Sequence, residues 1–188
     1  MINMEFKKIE KIASGKFVHR YDITYETVDG KDKVYEMISR DPNMDTFEKL
    51  TEHPVDAVVM IMHDKTGEKV LLNKEFRLAC GKDVVNFPAG LIDPGEDAVK
   101  AAKRELKEET GLNVVEIKDI IPESYSAVGF SNEKNIVVVG VAEGEFAPST
   151  STVEEIEAAW YTKAEVRELL KTLPFAGRTQ AYCYAWSK

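Results

Sequence analysis

The chain has 188 residues, 44% of them hydrophobic, enough for one domain of ordinary size with a buried core and too many for a disordered chain. Acidic residues outnumber basic ones, 33 to 25, and the net charge of −8 disfavours nucleic acid as a partner. Cys80 and Cys183 lack C-x-x-C spacing, which argues against a disulfide framework or a thiolate metal site. The N-terminal stretch lacks the apolar region of a signal peptide and no run is long enough to span a membrane, so the expectation is a cytoplasmic protein without a membrane partner.

From Lys16 to Arg40, KFVHRYDITYET and DKVYEMISR alternate around the turn signal Val28-Asp29-Gly30, which predicts an antiparallel hairpin. Such a piece cannot bury both faces alone and must pack on the rest of the chain or on a second subunit. The composition changes near Asp41-Pro42-Asn43, so residues 1–45 read as an N-terminal β extension and 46–188 as the main domain. VDAVVMIMH and EKVLLNKEF form a second predicted hairpin across Asp64-Lys65-Thr66-Gly67, and short β pieces broken by Pro88 and Gly90 follow.

Residues 96 to 110 are the clearest helix. Further strands are predicted at NVVEIKDII, ESYSAV, NIVVVGVA and IEAAWYT. Thr162 and Glu165 have the spacing of a capping box that opens another helix, and AGRTQAYCYAWSK is predicted to be helical. Hairpin-like strand pairs without strict β-α-β alternation indicate an α+β fold with a mixed sheet between helices.

At about 100° per residue, Val99, Ala102 and Leu106 share an arc of the 96–110 helix, with Glu105 and Glu109 at its edge and Glu108 further toward solvent. Like charges so spaced cost roughly 0.2–0.5 kcal/mol per pair. Pairing with Lys100, Lys103, Arg104 and Lys107 on a solvated face is the ordinary compensation for a Glu- and Lys-rich helix. Here the acids border the core face and follow the turn from Phe87 to Gly95, which can bring backbone carbonyls close. Such all-oxygen donors suit Mg²⁺ or Mn²⁺ rather than Zn²⁺. Gly111 stands where the helix needs a left-handed residue, and Leu112 supplies the accompanying apolar contact.

From Gly90 to Leu112 the chain reads Gly, five residues, Glu96, seven residues, Arg104-Glu105-Leu106, one residue, Glu108-Glu109, one residue, Gly111-Leu112. This resembles the Nudix box without departure. NKEFRLACGKDVVNFPAGLIDPGE and the N-terminal extension are similar to those of ADP-ribose pyrophosphatases and related nucleotide-sugar hydrolases. The resemblance implies the Nudix fold and Mg²⁺-dependent (or Mn²⁺-dependent) hydrolysis of a nucleoside diphosphate sugar, with ADP-ribose giving AMP and ribose 5-phosphate. It also implies a homodimer built through the extension. UDP-sugars, GDP-sugars and housecleaning hydrolysis of nucleoside triphosphates are alternatives, with a non-catalytic nucleotide-binding regulator behind them. Val128 departs from the Pro-Gly pair that the subgroup carries after the box, which puts ADP-ribose itself in question.

Carried over by position, Glu105, Glu108 and Glu109 bind the metal, with the Ala89 carbonyl joining them and Glu108 also catalytic. Gly90, Glu96, Arg104 and Gly111 support the box, Glu96 through an ion pair with Arg104. The resemblance places the general base in an acidic loop outside the box, for which Glu154 is the first candidate, also as a metal ligand, and Glu155 the alternate. Arg77 and Glu133 are candidate substrate contacts. Phe17 and Tyr21 are N-terminal aromatics on which a base could stack, although no spacing singles them out.

Overall fold

The computed structural model describes residues 4–150 and 155–188. These described residues fall into two compact units, one within 1–56 and 123–135 and one within 57–122 and 136–188.

In the first unit, β1 (Glu5–Ser14), β2 (His19–Glu26) and β3 (Asp32–Ser39) make an antiparallel sheet in that order. The β2–β3 hairpin matches the sequence reading, with Gly30 in the left-handed conformation at φ 76°. β1 is an addition: the Lys- and Glu-rich EFKKIEKIAS does not read as a strand, yet it pairs along β2. Short helix α1 (Phe47–Thr51) and the 123–135 segment complete the unit. Its core gathers Ile9, Tyr21, Ile23, Met37, Met44 and Leu50. Tyr21 is fully buried and donates to the Asp41 carbonyl at 2.7 Å, so it offers no surface for a base, whereas Phe17 is exposed. Lys134, also buried, donates to the carbonyls of Thr51 (3.1 Å) and His53 (3.2 Å) and ties the 123–135 segment down. A cavity of about 670 Å³ is lined by Tyr25, Tyr35, Met37, Phe47, Tyr125 and Val128, among others.

The second unit is built on a sheet of β10 (Ile156–Thr162), β5 (Lys69–Arg77), β4 (Ala57–His63), β9 (Lys134–Glu143) and β8 (Asn113–Tyr125), in that order. β6 (Lys82–Asn86) pairs with β5, and β7 (Ala89–Leu91) with β4. Alternation along β4 decides the layers. Val58, Met60 and Met62 pack with Leu71 against Ala101, Ala102 and Leu106 of α2 (Ala98–Thr110). Val59 and Ile61 pack with Val70, Leu72, Val85 and Phe87 against Val166 of α3 (Lys163–Thr172) and Cys183 of α4 (Gly177–Trp186). A mixed sheet between helices is therefore the architecture.

The two strands expected at NVVEIKDII and ESYSAV are one strand, β8. Pro122 reads as a break, but β8 is the last strand of its sheet, where a residue without an N–H leaves no ladder bond unmade. The Thr162–Glu165 capping box is present, with Glu165 N–H donating to Thr162 Oγ1 at 3.3 Å and Thr162 N–H to Glu165 Oε2 at 2.8 Å.

Candidate active site

Two local devices fix α2. Asp97 caps its first turn by accepting from the Lys100 N–H at 2.9 Å, so the helix starts at Ala98, two residues later than the sequence pattern. Gly111 ends it at φ 79°, its N–H donating to the Lys107 carbonyl. A Cβ at Gly111 would also fall 2.5 Å from the Ala147 nitrogen, so the glycine admits a close crossing as well as a left-handed turn. The buried stripe of α2 is Ala101, Ala102, Leu106, Glu109 and Thr110. Val99, placed in the apolar arc by periodicity, is only partly buried, and the buried residues of α2 begin at Ala101.

Gly90 on β7 is cut to the shape of a carboxylate. A Cβ there would lie 1.9 Å from Glu105 Cδ and 2.3 Å from each of its oxygens. Glu105 thus rests directly on the backbone after Ala89. Arg104 binds it from the other side, Nη1 donating to Glu105 Oε1 at 2.6 Å. The same guanidinium reaches Glu96 through Nε (3.2 Å) and Nη2 (2.8 Å), and the Leu91 carbonyl at 3.0 Å. Glu108 Oε2 lies 3.5 Å from Arg104 Nη1. Hydrogen bonding from Arg104 holds the Glu96 carboxyl below its ordinary range, and Glu96 in turn raises the guanidinium. Gly90, Glu96, Arg104, Glu105 and Glu108 are therefore one connected group.

Glu109 takes a different environment. It is 7% exposed and accepts from Asn73 Nδ2 of β5 at 2.8 Å. Asn73, Glu75 and Arg77 alternate along one face of β5, in phase with core residue Leu71. Buried Glu75 accepts from Asn86 Nδ2 at 3.0 Å, and Arg77 Nη1 lies 3.6 Å from the same oxygen. Asn86 accepts from Thr179 of α4 at 2.9 Å. Asn73 and Glu75 were not singled out from the sequence. The available signal was two polar residues in phase with Leu71 on a strand that opens with the apolar run Val70, Leu71 and Leu72.

The remaining candidates lie elsewhere. Glu155 lines a polar cleft of about 260 Å³ with Lys74, Asp83 and Glu157 rather than with the α2 carboxylates, and its carbonyl accepts from Phe76 N–H at 3.1 Å. Glu154 lies outside the described residues, although Thr150, shortly before it, donates its N–H to the Glu108 carbonyl at 3.0 Å. Glu133 belongs to the first unit and accepts from Arg40 Nε and Ser126 Oγ, each at 2.8 Å. Val128 is exposed in the same unit.

A family model described as the NUDIX domain matches residues 53–183, more than half of the chain and all of this carboxylate group. The chain belongs to the Nudix family. Among similar Nudix proteins, an ADP-ribose pyrophosphatase of Bacillus subtilis is 32% identical over 76% of this chain and 69% of its own length. An ADP-sugar pyrophosphatase of Mus musculus is 32% identical over 73% of this chain, and Putative nudix hydrolase 2 of Caenorhabditis elegans 28% identical over 79%. The matches span 61% of the mouse protein and 65% of the worm protein, less than two thirds of either. A crystal structure of an ADP compounds hydrolase superposes with a TM-score of 0.74 at 20% identity, covering 98% of this chain and 91% of that one, which establishes the Nudix fold.

Nudix hydrolases use divalent metals, and the donors here are chemically suited to one. They are carboxylate oxygens, hard ligands for a hard cation, and the Glu105 carboxylate is seated where position 90 has no side chain. Among the described residues, no three His, Cys, Asp or Glu side chains converge on one point, and the Arg104 guanidinium lies between Glu105 and Glu108.

Proposed function

We propose that this protein hydrolyses the pyrophosphate bond of a nucleoside diphosphate sugar, ADP-ribose being converted to AMP and ribose 5-phosphate. The observation that carries the reading is the seating of Glu105 on Gly90 within an unbroken Nudix box. The names of the Bacillus and mouse relatives support the substrate class.

In this reading Glu105, Glu108 and Glu109, with the Ala89 carbonyl, hold Mg²⁺, or Mn²⁺ in its place. A divalent metal held there would supply charge neutralisation for the diphosphate and a lowered pKa for a bound water. Arg104 and Glu96 hold Glu105 in place, so little reorganisation of the carboxylates is needed as charge develops. Glu108 is given a catalytic role because it borders the group while staying half exposed. Glu154 is assigned as the base that takes the proton of the attacking water, with Glu155 the alternate. Arg77, exposed at the end of the β5 row, is assigned to a substrate phosphate, for which a guanidinium provides paired donors. Glu133 is the second candidate substrate contact. The protein acts as a homodimer formed through the N-terminal β extension, in the cytoplasm.

A panel of ADP-ribose, ADP-glucose, UDP-glucose, GDP-mannose, NADH and 8-oxo-dGTP, each with Mg²⁺ and with EDTA, tests the reading. Hydrolysis of ADP-ribose with Mg²⁺ and none with EDTA is expected. Preferential turnover of UDP-glucose or GDP-mannose would move the assignment to that sugar nucleotide, and turnover of 8-oxo-dGTP alone to housecleaning. Inertness toward the whole panel would overturn it. Light scattering tests the dimer, and a monomer at micromolar concentration would contradict it.

A further inference from the structure

Asn73 is completely buried in the middle of β5, between the core residue Leu72 and the buried carboxylate Glu75. Its Nδ2 donates to Glu109 Oε2 at 2.8 Å, while its Oδ1 is buried without a hydrogen-bond partner among the described residues. An amide whose oxygen is left unsatisfied inside a core is a poor choice for packing, since an apolar side chain there would bury no polar atom. What the amide provides is direction. An ionised carboxylate only accepts, so Nδ2 must face Glu109, and the planar amide then fixes the position of one carboxylate oxygen. β5 is held on both sides, by β10 at Ala158↔Asn73 and by β6 at Asn73↔Asn86, so Asn73 is mounted on rigid backbone.

We propose that Asn73 is a positioning residue for the cation site: its bond to Glu109 sets the orientation in which this buried α2 carboxylate meets a divalent cation. The inference rests on the reading of Glu109 as a ligand given above. It places a determinant of cation affinity on β5, outside the box.

The test uses the full chain and Mn²⁺ alone, with free Mn²⁺ followed by electron paramagnetic resonance. Asn73→Leu removes the donor while keeping the same number and branching of side-chain heavy atoms. Asn73→Thr introduces a β-branched residue suited to a strand, but its hydroxyl is too short to replace the amide, so it carries the test should the leucine variant not fold. Both are expected to bind Mn²⁺ roughly 10–100-fold more weakly than the parent, the usual consequence of losing a group that orients a metal ligand. Thermal unfolding in chelator confirms that they are folded. In a Glu109→Gln background, Asn73→Leu is expected to weaken binding no further, because its effect passes through Glu109. Unchanged Mn²⁺ affinity in the folded Asn73 variants, with Glu109→Gln weakened, would overturn this inference and leave the ligand assignment intact. A full additional loss in the double variant would also overturn it. If Glu109→Gln itself binds Mn²⁺ normally, the ligand assignment fails first.

Discussion

Gly90 and Glu105 occupy one space: the carboxylate of Glu105 lies where a Cβ on residue 90 would be, 1.9 Å from its Cδ. The glycine belongs to β7 and the glutamate to α2, so the contact fixes the helix against the strand and the carboxylate against the backbone together. Gly90→Ala must therefore expel Glu105 or move β7. Turnover is expected to fall by about 10–100-fold, as when a metal ligand loses its orienting contacts, with a stability loss of about 1–3 kcal/mol from overpacking. Steady-state kinetics and thermal unfolding read the two separately, and normal turnover would show that the seat of Glu105 is dispensable.

Arg104 serves Glu96, Glu105 and the Leu91 carbonyl from one planar group. Lysine supplies a charge but not the fork. Arg104→Lys should lower kcat on the order of tenfold, the low end of the effect of losing a group that orients a ligand. Glu96 adds a pH signature. Its carboxyl is held below the ordinary 4.5 by the Arg104 hydrogen bond, so its contribution to stability is complete above that value and disappears as pH falls through the lowered one. The Tm difference between the parent and Glu96→Gln should therefore shrink on acidification below about pH 4.5. A difference independent of pH would mean that the charge of Glu96 contributes nothing.

Gly111 meets two requirements, a φ of 79° and an Ala147 nitrogen 2.5 Å from any Cβ. Gly111→Ala should cost about 1–2 kcal/mol for the left-handed conformation and about 1–3 kcal/mol for the overlap. Chemical denaturation measures the sum. A loss below the conformational cost alone would show that the loop at Ala147 shifts freely.

His63 joins β4 to α4, with Nδ1 3.0 Å from the Lys69 carbonyl and Nε2 2.7 Å from Tyr182 Oη. Burial lowers its pKa from the ordinary 6.5. The unfolded chain thus binds the proton more readily, so the contribution of His63 to stability is complete above pH 6.5 and is lost as pH falls through the lowered folded value. The parent should lose more Tm than His63→Gln between neutral and mildly acidic pH. Parallel curves would contradict this.

What was legible in the sequence was what short-range chemistry decides. The α2 helix, the glycine that ends it and the Thr162–Glu165 capping box depend on neighbours within a few residues, and the box spacing names the family. What was not legible depends on distant partners. β1 is a strand because β2 offers an edge, not because EFKKIEKIAS alternates cleanly. Pro122 could not show that β8 lies at the end of its sheet. Tyr21, which the sequence offers with Phe17 as a surface for a base, is buried in the first unit, its hydroxyl donating to the Asp41 carbonyl. Asn73 acquires meaning only when folding brings Glu109, 36 positions away, within 2.8 Å.

The proposed reaction is hydrolysis of the pyrophosphate of a nucleoside diphosphate sugar at the box carboxylates. It is tested most directly by ³¹P NMR of ADP-ribose incubated with Mg²⁺ and either the parent chain, Glu105→Gln or Glu109→Gln. The parent is expected to replace the diphosphate signals with the two monophosphate resonances of AMP and ribose 5-phosphate, while each variant leaves the diphosphate essentially intact over the same time. Persistence of the diphosphate with the parent, or equal conversion by the variants, would contradict it.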